Sequence, residues 1–485
     1  MKENIKSKDV GRGTFSLIGT RFLLILLAIV QFTLIPRLLN PVGMGYYSYW
    51  LSIFFILSAI LGLGAFPLLS RYLPELRLRA RSAIKPFLKQ LLLIKFPIFF
   101  LLLILGLIIF PFSRSAYLAI CLGSFIAAVE LMVEGIIYGF NIINIFSLMP
   151  LSRISSRIII LIVLFPLLGS KGILLSILIA PLITLLIFSG KAQKMLPLQS
   201  GKLDRPFIFY LKTGSWLYLT NILSVLTFWS IISLSRVLVN DLVEIGFLGL
   251  ALQICLLSSF LIFSLAQSLL PTFVQFHLLK DIRLTSSIRL SWKYTNILLF
   301  PLVAAILTLI KPVIRIIIGD IFLASVPLIN LLLPNIIFFC WVFLLEQILI
   351  IHEKMRSVFL IELLRFIIFL LIATFLIHRI GILGGPIALT TASLAGFLIS
   401  LITAARLEKI GQFLSSILKP FICSVLMGTT IYLINPVTTV KFICSTILSP
   451  ILYFTILYWI KGFSKKDLHR FKYVIFKNTD LQGTE

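Results

Sequence analysis

The chain has 485 residues, of which 60% are hydrophobic and 12% are charged, and its formal net charge at pH 7 is +26. Soluble domains are nearer half apolar and a quarter charged, so the composition excludes a soluble globular enzyme and a disordered chain. The apolar stretches are continuous and do not alternate with polar residues, which favours membrane-spanning helices over the strands of a β-barrel.

The apolar segments predict an all-α polytopic membrane protein with about 14 transmembrane helices, each needing about 20 residues to cross the hydrocarbon core. The predicted spans are 14–36, 44–66, 88–111, 116–139, 148–168, 172–190, 215–235, 245–269, 291–310, 325–350, 357–377, 384–405, 418–435 and 441–460. We expect an N-terminal lobe of helices one to six at 1–190, a cytoplasmic linker at 191–214, a C-terminal lobe of helices seven to twelve at 215–405, helices thirteen and fourteen at 406–460, and a basic cytoplasmic tail at 461–485.

The distribution of Lys and Arg predicts the orientation. With the N-terminus inside, the inside segments hold about four times as many Lys and Arg as the outside loops, as the positive-inside rule requires. An even number of spans then places both termini in the cytoplasm, with the protein multi-pass in the plasma (inner) membrane. The basic excess favours contact with anionic membrane lipids, and no nucleic-acid partner is expected. The sequence has no metal-binding spacing and no P-loop, so we expect no metal and no cofactor.

A modest internal repeat links the starts of the two lobes. Pro36-Arg37-Leu38-Leu39 ends helix one, and Gly43-Met44-Gly45-Tyr46 opens helix two. About 199 residues later, Ser235-Arg236-Val237-Leu238 ends helix seven, and Gly246-Phe247-Leu248-Gly249 opens helix eight. Six helices separate the copies, so the two six-helix lobes share an orientation and are predicted to be pseudo-repeats. Parallel repeats of this kind are a transporter architecture with the substrate site between the halves.

The first hairpin carries a recognisable pattern. It reads Gly19-Thr20-Arg21, a long apolar run, and then Arg37-Leu38-Leu39-Asn40-Pro41-Val42-Gly43-Met44-Gly45-Tyr46-Tyr47. This sequence resembles the polysaccharide transporter family, the Wzx-like O-antigen and oligosaccharide flippases. That family shares the multidrug/oligosaccharidyl-lipid/polysaccharide flippase superfamily with lipid II flippases and with multidrug and toxin extrusion transporters. Asn40 stands where glycine is commoner in the family.

The resemblance implies a function and a set of partners. Family members move isoprenoid-diphosphate-linked oligosaccharides from the cytoplasmic to the outer leaflet by alternating access through a central, often cationic, cavity. For this chain it implies a lipid-linked oligosaccharide substrate, such as an O-antigen unit of lipopolysaccharide or another polysaccharide repeat unit. H⁺ or Na⁺ is the candidate coupling ion, and a polysaccharide polymerase or other assembly proteins are candidate partners. No covalent bond changes, so an enzyme is not expected.

Five basic residues are the candidate substrate-binding cavity cations: Arg21, Arg37, Lys95, Arg236 and Arg365. Arginine suits a diphosphate because its planar fork donates two hydrogen bonds. Arg21, Lys95 and Arg365 lie inside predicted spans, where a charge usually faces a cavity or a partner. Arg21 and Lys95 are also near enough to the cytoplasmic side to snorkel, and Arg37 and Arg236 could instead anchor helix ends. Arg365 follows Glu362 by three residues, which favours a structural ion pair.

Four acids lie within predicted spans and are the ion-coupling candidates: Glu130, Glu134, Glu346 and Glu362. Glu130 and Glu134 are four residues apart and share a helix face. Two like charges close together in a low dielectric favour binding a proton or a sodium ion, and the alternative is pairing with a basic group. With three embedded bases, the embedded charges sum to −1. A cationic cavity therefore needs the two outer arginines, Arg37 and Arg236, at its opening.

Three other functions compete with a flippase. A cation-coupled multidrug exporter of the same superfamily commonly carries an acid in helix one, whereas helix one here has Arg21 and Gln31 and no acid. A membrane glycosyltransferase would need a sizeable outer loop, and none is predicted. A channel would need a charge ring or a filter-like repeat, and neither is visible.

Overall fold

The computed structural model describes residues 7–111, 113–197, 201–203, 206–259, 283–408, 411–436, 438–460 and 462. Within these residues every regular element is a helix, and no strand occurs. The predicted tail at 461–485, apart from Gly462, and the second half of the predicted span 245–269 lie outside the described residues.

The helices are α1 Ser7–Gly62, α2 Ala65–Arg79, α3 Ile84–Leu93, α4 Lys95–Ile109, α5 Arg114–Gly139, α6 Ile143–Leu168, α7 Ser170–Met195, α8 Phe207–Val239, α9 Leu242–Ser259, α10 Arg283–Val313, α11 Ser325–Ile351, α12 Met355–Ile380, α13 Gly384–Ala405, α14 Gly411–Ile434 and α15 Thr439–Trp459. In the described part of the chain, 12 segments are long and apolar enough to cross a membrane. Two of them, Leu26–Ser70 and Met355–Ala405, each contain two helices. The predicted all-α class with about fourteen spans is therefore confirmed, and the protein is a multi-pass membrane protein.

The break inside α1 separates predicted helices one and two. Asn40 has φ 56° and ψ 172°, and Pro41 follows it. Proline disfavours the helical region for the residue before it and lacks the N–H that a continuing helix would use. Asparagine tolerates a positive φ better than most residues, so the Asn40-Pro41 pair ends one helix and starts the next.

The chain divides into two compact units. The first contains the residues up to Leu250 together with Phe366–Gly385, and the second contains Ala251–Arg365 and the residues from Pro386 onward. In the first unit, α2, α3 and α5 share a core that includes Leu69, Phe87 and Ile137.

The C-terminal helices α14 and α15 have a core of their own with α10, in the second unit. This core includes Met427 and Tyr453, and the Tyr453 hydroxyl donates a hydrogen bond to the Ile297 carbonyl at 2.8 Å. Large apolar side chains on the outer faces of these helices are exposed, such as Leu433 and Trp459, as a lipid-facing surface requires.

Two helical hairpins, α5–α6 and α11–α12, have the same internal register. The first of each pair ends at Gly139 and Ile351, and the second begins at Ile143 and Met355, so each boundary recurs 212 residues later. The turns also match: Asn141 has φ 63° and Glu353 has φ 59°. The turn hydrogen bonds recur with the same shift, from Phe140, Asn141 and Ile142 to Ile136, Tyr138 and Ile137, and from His352, Glu353 and Lys354 to Ile348, Ile350 and Leu349.

Candidate functional site

The first charge cluster lies between α5 and α6 and consists of Glu130, Glu134, Arg153 and Arg157. Arg153 Nη1 is 3.4 Å from Glu130 Oε1, and Arg153 Nη2 is 3.9 Å from Glu134 Oε2. Both acids are buried, whereas a quarter of the Arg153 side chain, 25%, is exposed. Arg153 is ten residues into α6, about 15 Å along the helix, so the cluster lies well inside the membrane.

Arg157 extends this cluster by one turn of α6. Its guanidinium lies 5.7 Å from the centroid of the Phe54 ring and 6.0 Å from that of Phe55, in cation–π geometry. Glu130 and the hydroxyl of Tyr47 are within its electrostatic reach. The side chain is buried, and its Nε has no hydrogen-bond partner. The first charge cluster thus contains two carboxylates and two guanidinium groups.

The second charge cluster lies in the second unit and consists of Glu346 on α11 with Glu362 and Arg365 on α12. Arg365 Nη1 donates to Glu362 Oε1, so the expected ion pair is present. The carboxyl groups of Glu346 and Glu362 are in hydrogen-bonding contact. The Arg365 guanidinium also covers the Phe339 ring at 5.0 Å. All three charged residues are buried, so this cluster has two acids and one base away from solvent.

The packing of Arg365 depends on a glycine of α13. A Cβ built on Gly396 would lie 3.0 Å from Arg365 Cδ, which is closer than side-chain carbons normally approach. The small residue makes room for the stem of the arginine, and this fixes where the guanidinium meets Glu362.

Lys95 closes the end of another helix. Its Nζ donates to the carbonyls of Leu61 at 2.6 Å and Gly62 at 2.8 Å, which are the last residues of α1. The last four carbonyls of a helix have no partner within it, and a basic side chain at that end satisfies them. Tyr218 assists by donating to Ile60 at 2.6 Å. This geometry favours a structural role for Lys95, and its predicted role as a cavity cation stays a prediction.

The two outer arginines belong to matching helix ends. Arg37 precedes the break at Asn40, and Arg236 precedes Asn240, which has φ 57° and ends α8. Arg236 Nη1 donates to the side-chain oxygen of Asn240 at 2.6 Å. Both arginines are at least partly exposed. Arg21 lies in the helical part of α1, and its side chain is outside the described residues.

A reciprocal glycine contact joins the two hairpins that contain these arginines. Gly45 packs against the carbonyl of Leu242, and Gly246 packs against the carbonyl of Pro41. A Cβ at either glycine would overlap the backbone oxygen that faces it. The partners are offset by the same 201 residues in both contacts, so the predicted repeat appears here as a local two-fold arrangement.

Sequence reasoning missed Arg153 and Arg157. Both lie inside the predicted span 148–168, but they were counted with the cytoplasmic segments in the orientation argument. The structure corrects this assignment, because both side chains lie in α6 beside the acids of α5. The available signal was their four-residue spacing, which matches that of Glu130 and Glu134. With the two arginines included, the embedded charges sum to +1 and no longer to −1.

No protein-family model and no curated protein matches the sequence. Among solved structures, the lipid II flippase MurJ in an inward closed conformation matches with a TM-score of 0.75, 15% identity, and coverage of 94% of this chain and 99% of that chain. An inward-facing multidrug resistance MATE family transporter of the MOP superfamily matches with a TM-score of 0.63, 14% identity, and coverage of 80% and 96%. The MATE multidrug transporter DinF-BH, in complex with a ligand, matches at 0.59, 18% identity, and coverage of 84% and 96%.

The chain has the MOP-superfamily transporter fold. Its structural neighbours are transporters or flippases and not enzymes. At these levels of identity, the likeness gives the architecture, and the chemistry must be argued from the residues of this chain.

Proposed function

We propose that the protein is a flippase that moves a polyprenyl-diphosphate-linked oligosaccharide from the cytoplasmic to the outer leaflet by alternating access. The observation that carries this proposal is the extent of the structural match. The lipid II flippase covers 94% of this chain and 99% of its own length, whereas the two MATE transporters cover 80% and 84% of this chain. A flippase architecture thus accounts for more of the chain than an exporter architecture.

The diphosphate requires cations that are available to a ligand. Arg365 is paired with Glu362, and Lys95 is bonded to two carbonyls, so neither is well placed to bind phosphate. Arg37 and Arg236 remain the best-supported candidates, because both are at least partly exposed at matching helix ends. Arg21 is a third candidate on its sequence position. Bidentate bonds from such arginines would neutralise the diphosphate while the polyprenyl tail remains in lipid.

The polar part of the substrate sets the rest of the mechanism. Sugars need hydrogen-bonding side chains during passage, and the two embedded charge clusters offer sites at which H⁺ or Na⁺ could drive the conformational cycle. In the cell, the glycan would be an O-antigen or another polysaccharide repeat unit. Anionic lipids and a polysaccharide polymerase or other assembly proteins would be its partners, with both termini in the cytoplasm.

A cation-coupled multidrug exporter is the second candidate function. The MATE likeness at a TM-score of 0.63 supports it, as do the buried acids. Helix one argues against it, because its intramembrane polar residues are Arg21 and Gln31 and no carboxylate is present.

Reconstitution tests the proposal. Purified protein in liposomes is given a polyprenyl-diphosphate oligosaccharide with a fluorescent sugar, and a membrane-impermeant quencher measures its movement between leaflets. We expect protein-dependent movement that falls about tenfold or more in the double variant Arg37→Ala/Arg236→Ala, since each lost charged hydrogen bond is worth about 1.5–3 kcal/mol. Arg114→Ala is the matched control, because Arg114 is an exposed arginine at the start of α5.

The competing outcomes are distinct. Movement that is equally fast in the double variant would remove Arg37 and Arg236 from the substrate site. No movement of the lipid, together with proton flux driven by a lipophilic organic cation such as tetraphenylphosphonium, would replace the flippase with the exporter.

A further inference from the structure

The two charge clusters occupy the same position in the repeated hairpins. Glu134 and Glu346 each lie seven residues before the left-handed turn residue, which is Asn141 in one hairpin and Glu353 in the other. The arginines that face them, Arg153 and Arg365, each lie twelve residues after that turn residue. The spacing from Glu to Arg is therefore 19 residues in both hairpins, and the two clusters are built on one template.

The template is filled differently at two places. The 212-residue shift that relates the hairpins places Phe369 at the position of Arg157, and Phe369 is fully buried. The second carboxylate also moves, from Glu130 on α5 to Glu362 on α12. The first cluster consequently has two acids and two bases, whereas the second has two acids and one base.

This difference has an electrostatic consequence. A buried, uncompensated carboxylate costs several kcal/mol, so a cluster with an excess acid must acquire a positive charge or a proton. Glu346 and Glu362 are in hydrogen-bonding contact, and two carboxyl groups can share such a bond only when one of them carries a proton. Glu346 Oε1 has no hydrogen-bond partner in the structure, so this oxygen is available to accept or carry one.

The surroundings of Glu346 favour a proton over a metal cation. The charged groups that act on it are Glu362 and Arg365, both from α12. From α13 the cluster meets Gly396, and from α10 the nearby polar group is Asn296, which accepts a bond from Trp341 and does not titrate. A sodium ion would need several oxygen ligands beside a fixed guanidinium, whereas a proton needs only the two carboxyl groups.

We propose that Glu346 and Glu362 share a single exchangeable proton, and that this pair, and not Glu130 with Glu134, is the point at which a proton enters the transport cycle. The shared proton follows from the geometry of the second cluster, and its place in a transport cycle rests on the proposed function. Uptake of the proton leaves the second cluster neutral, and its release leaves one unbalanced charge that destabilises the packed state around Arg365.

Infrared spectroscopy of the purified protein in lipid tests the shared proton without a substrate. A protonated carboxyl group has a C=O stretching band that shifts in D₂O and is distinct from that of carboxylates. We expect this band at neutral pH in the wild-type protein and in Glu130→Gln, and its loss in Glu346→Gln. A band that persists in Glu346→Gln, or that disappears in Glu130→Gln, would overturn the assignment.

A swap between the two clusters gives an independent test. Phe369→Arg supplies the second cluster with the missing base, so the band should disappear although both acids remain. Phe369→Leu is the matched control and should keep the band. Arg157→Phe leaves the first cluster with an excess acid and should add a second band. If Phe369→Arg does not fold, as judged by size-exclusion chromatography, the Glu346→Gln and Glu130→Gln spectra decide the question alone.

Transport in liposomes then separates this inference from the proposed function. A pH gradient should change the rate of polyprenyl-diphosphate oligosaccharide movement in the wild type and Glu130→Gln, and at least tenfold less in Glu346→Gln. An equal response in Glu346→Gln would exclude the pair from the cycle. Absence of lipid movement in every variant, with the expected infrared bands, would refute the flippase and retain the shared proton.

Discussion

The first and second charge clusters have the same number of carboxylates and the same Glu-to-Arg spacing, but they differ in how their arginine is held. Arg153 meets its two acids at 3.4 and 3.9 Å and keeps 25% of its side chain exposed. Arg365 is buried, bonds directly to Glu362 and lies over the Phe339 ring. The comparison teaches that one hairpin template can produce a balanced, partly solvated ion-pair network or a dry, unbalanced one, depending on a single position, 157 or 369.

The largest effect is expected from removal of the buried base. Arg365→Leu leaves Glu362 without its cation, and breaking a buried pair in this way costs about 3–5 kcal/mol. The thermal midpoint of the purified protein in detergent should fall strongly, or the protein should fail to purify as a single species. Arg365→Lys keeps the charge and should recover part of the loss. A midpoint equal to that of the wild type in Arg365→Leu would contradict the description of this cluster as sealed.

Removal of the corresponding base in the first cluster should cost less. Arg153→Leu is expected to lower the free energy of unfolding by about 1–3 kcal/mol, because Arg157 remains near Glu130 and water reaches this site. The same thermal measurement applies, and its value lies in the ratio to Arg365→Leu. If Arg153→Leu is the more harmful of the two, the difference in solvation between the clusters has been assigned the wrong way round.

The turns of the two hairpins allow a finer comparison. Glu353 adopts a left-handed conformation that costs a non-glycine residue about 1–2 kcal/mol, whereas Asn141 tolerates it. Glu353→Gly should therefore stabilise the protein by about 0.5–1 kcal/mol after the entropic cost of glycine, and Asn141→Gly should be nearly neutral. Equal effects at both turns would show that the residue type at this position does not matter.

The smallest effect on stability is expected at Glu346. Glutamine has the shape of a protonated glutamic acid, so Glu346→Gln should change the free energy of unfolding by less than about 1 kcal/mol. Glu134→Gln removes a charged partner of Arg153 and should cost more. A large loss of stability in Glu346→Gln would indicate that Glu346 is ionised in the native protein, against the shared proton.

The amino-acid sequence predicts the features that depend on local spacing. Continuous apolar runs give the spans, the Asn40-Pro41 pair gives the first break, and the three-residue spacing of Glu362 and Arg365 gives their ion pair. The contact of Arg153 with two acids on α5 joins different helices, so its distance along the chain does not reveal it. The bonds of Lys95 to the end of α1 escaped prediction for the same reason, since they depend on where α4 begins in space.

The reciprocal contact of Gly45 with Leu242 and of Gly246 with Pro41 has a consequence for the origin of the chain. It is isologous: each hairpin offers the same small residue and the same carbonyl to the other, as the two subunits of a two-fold homodimer do. A half-length ancestral gene that encoded one such hairpin would already have possessed a complete interface for a second copy of its own product. Duplication and fusion would then have required no new contact at this surface, only the linker that made the pair permanent.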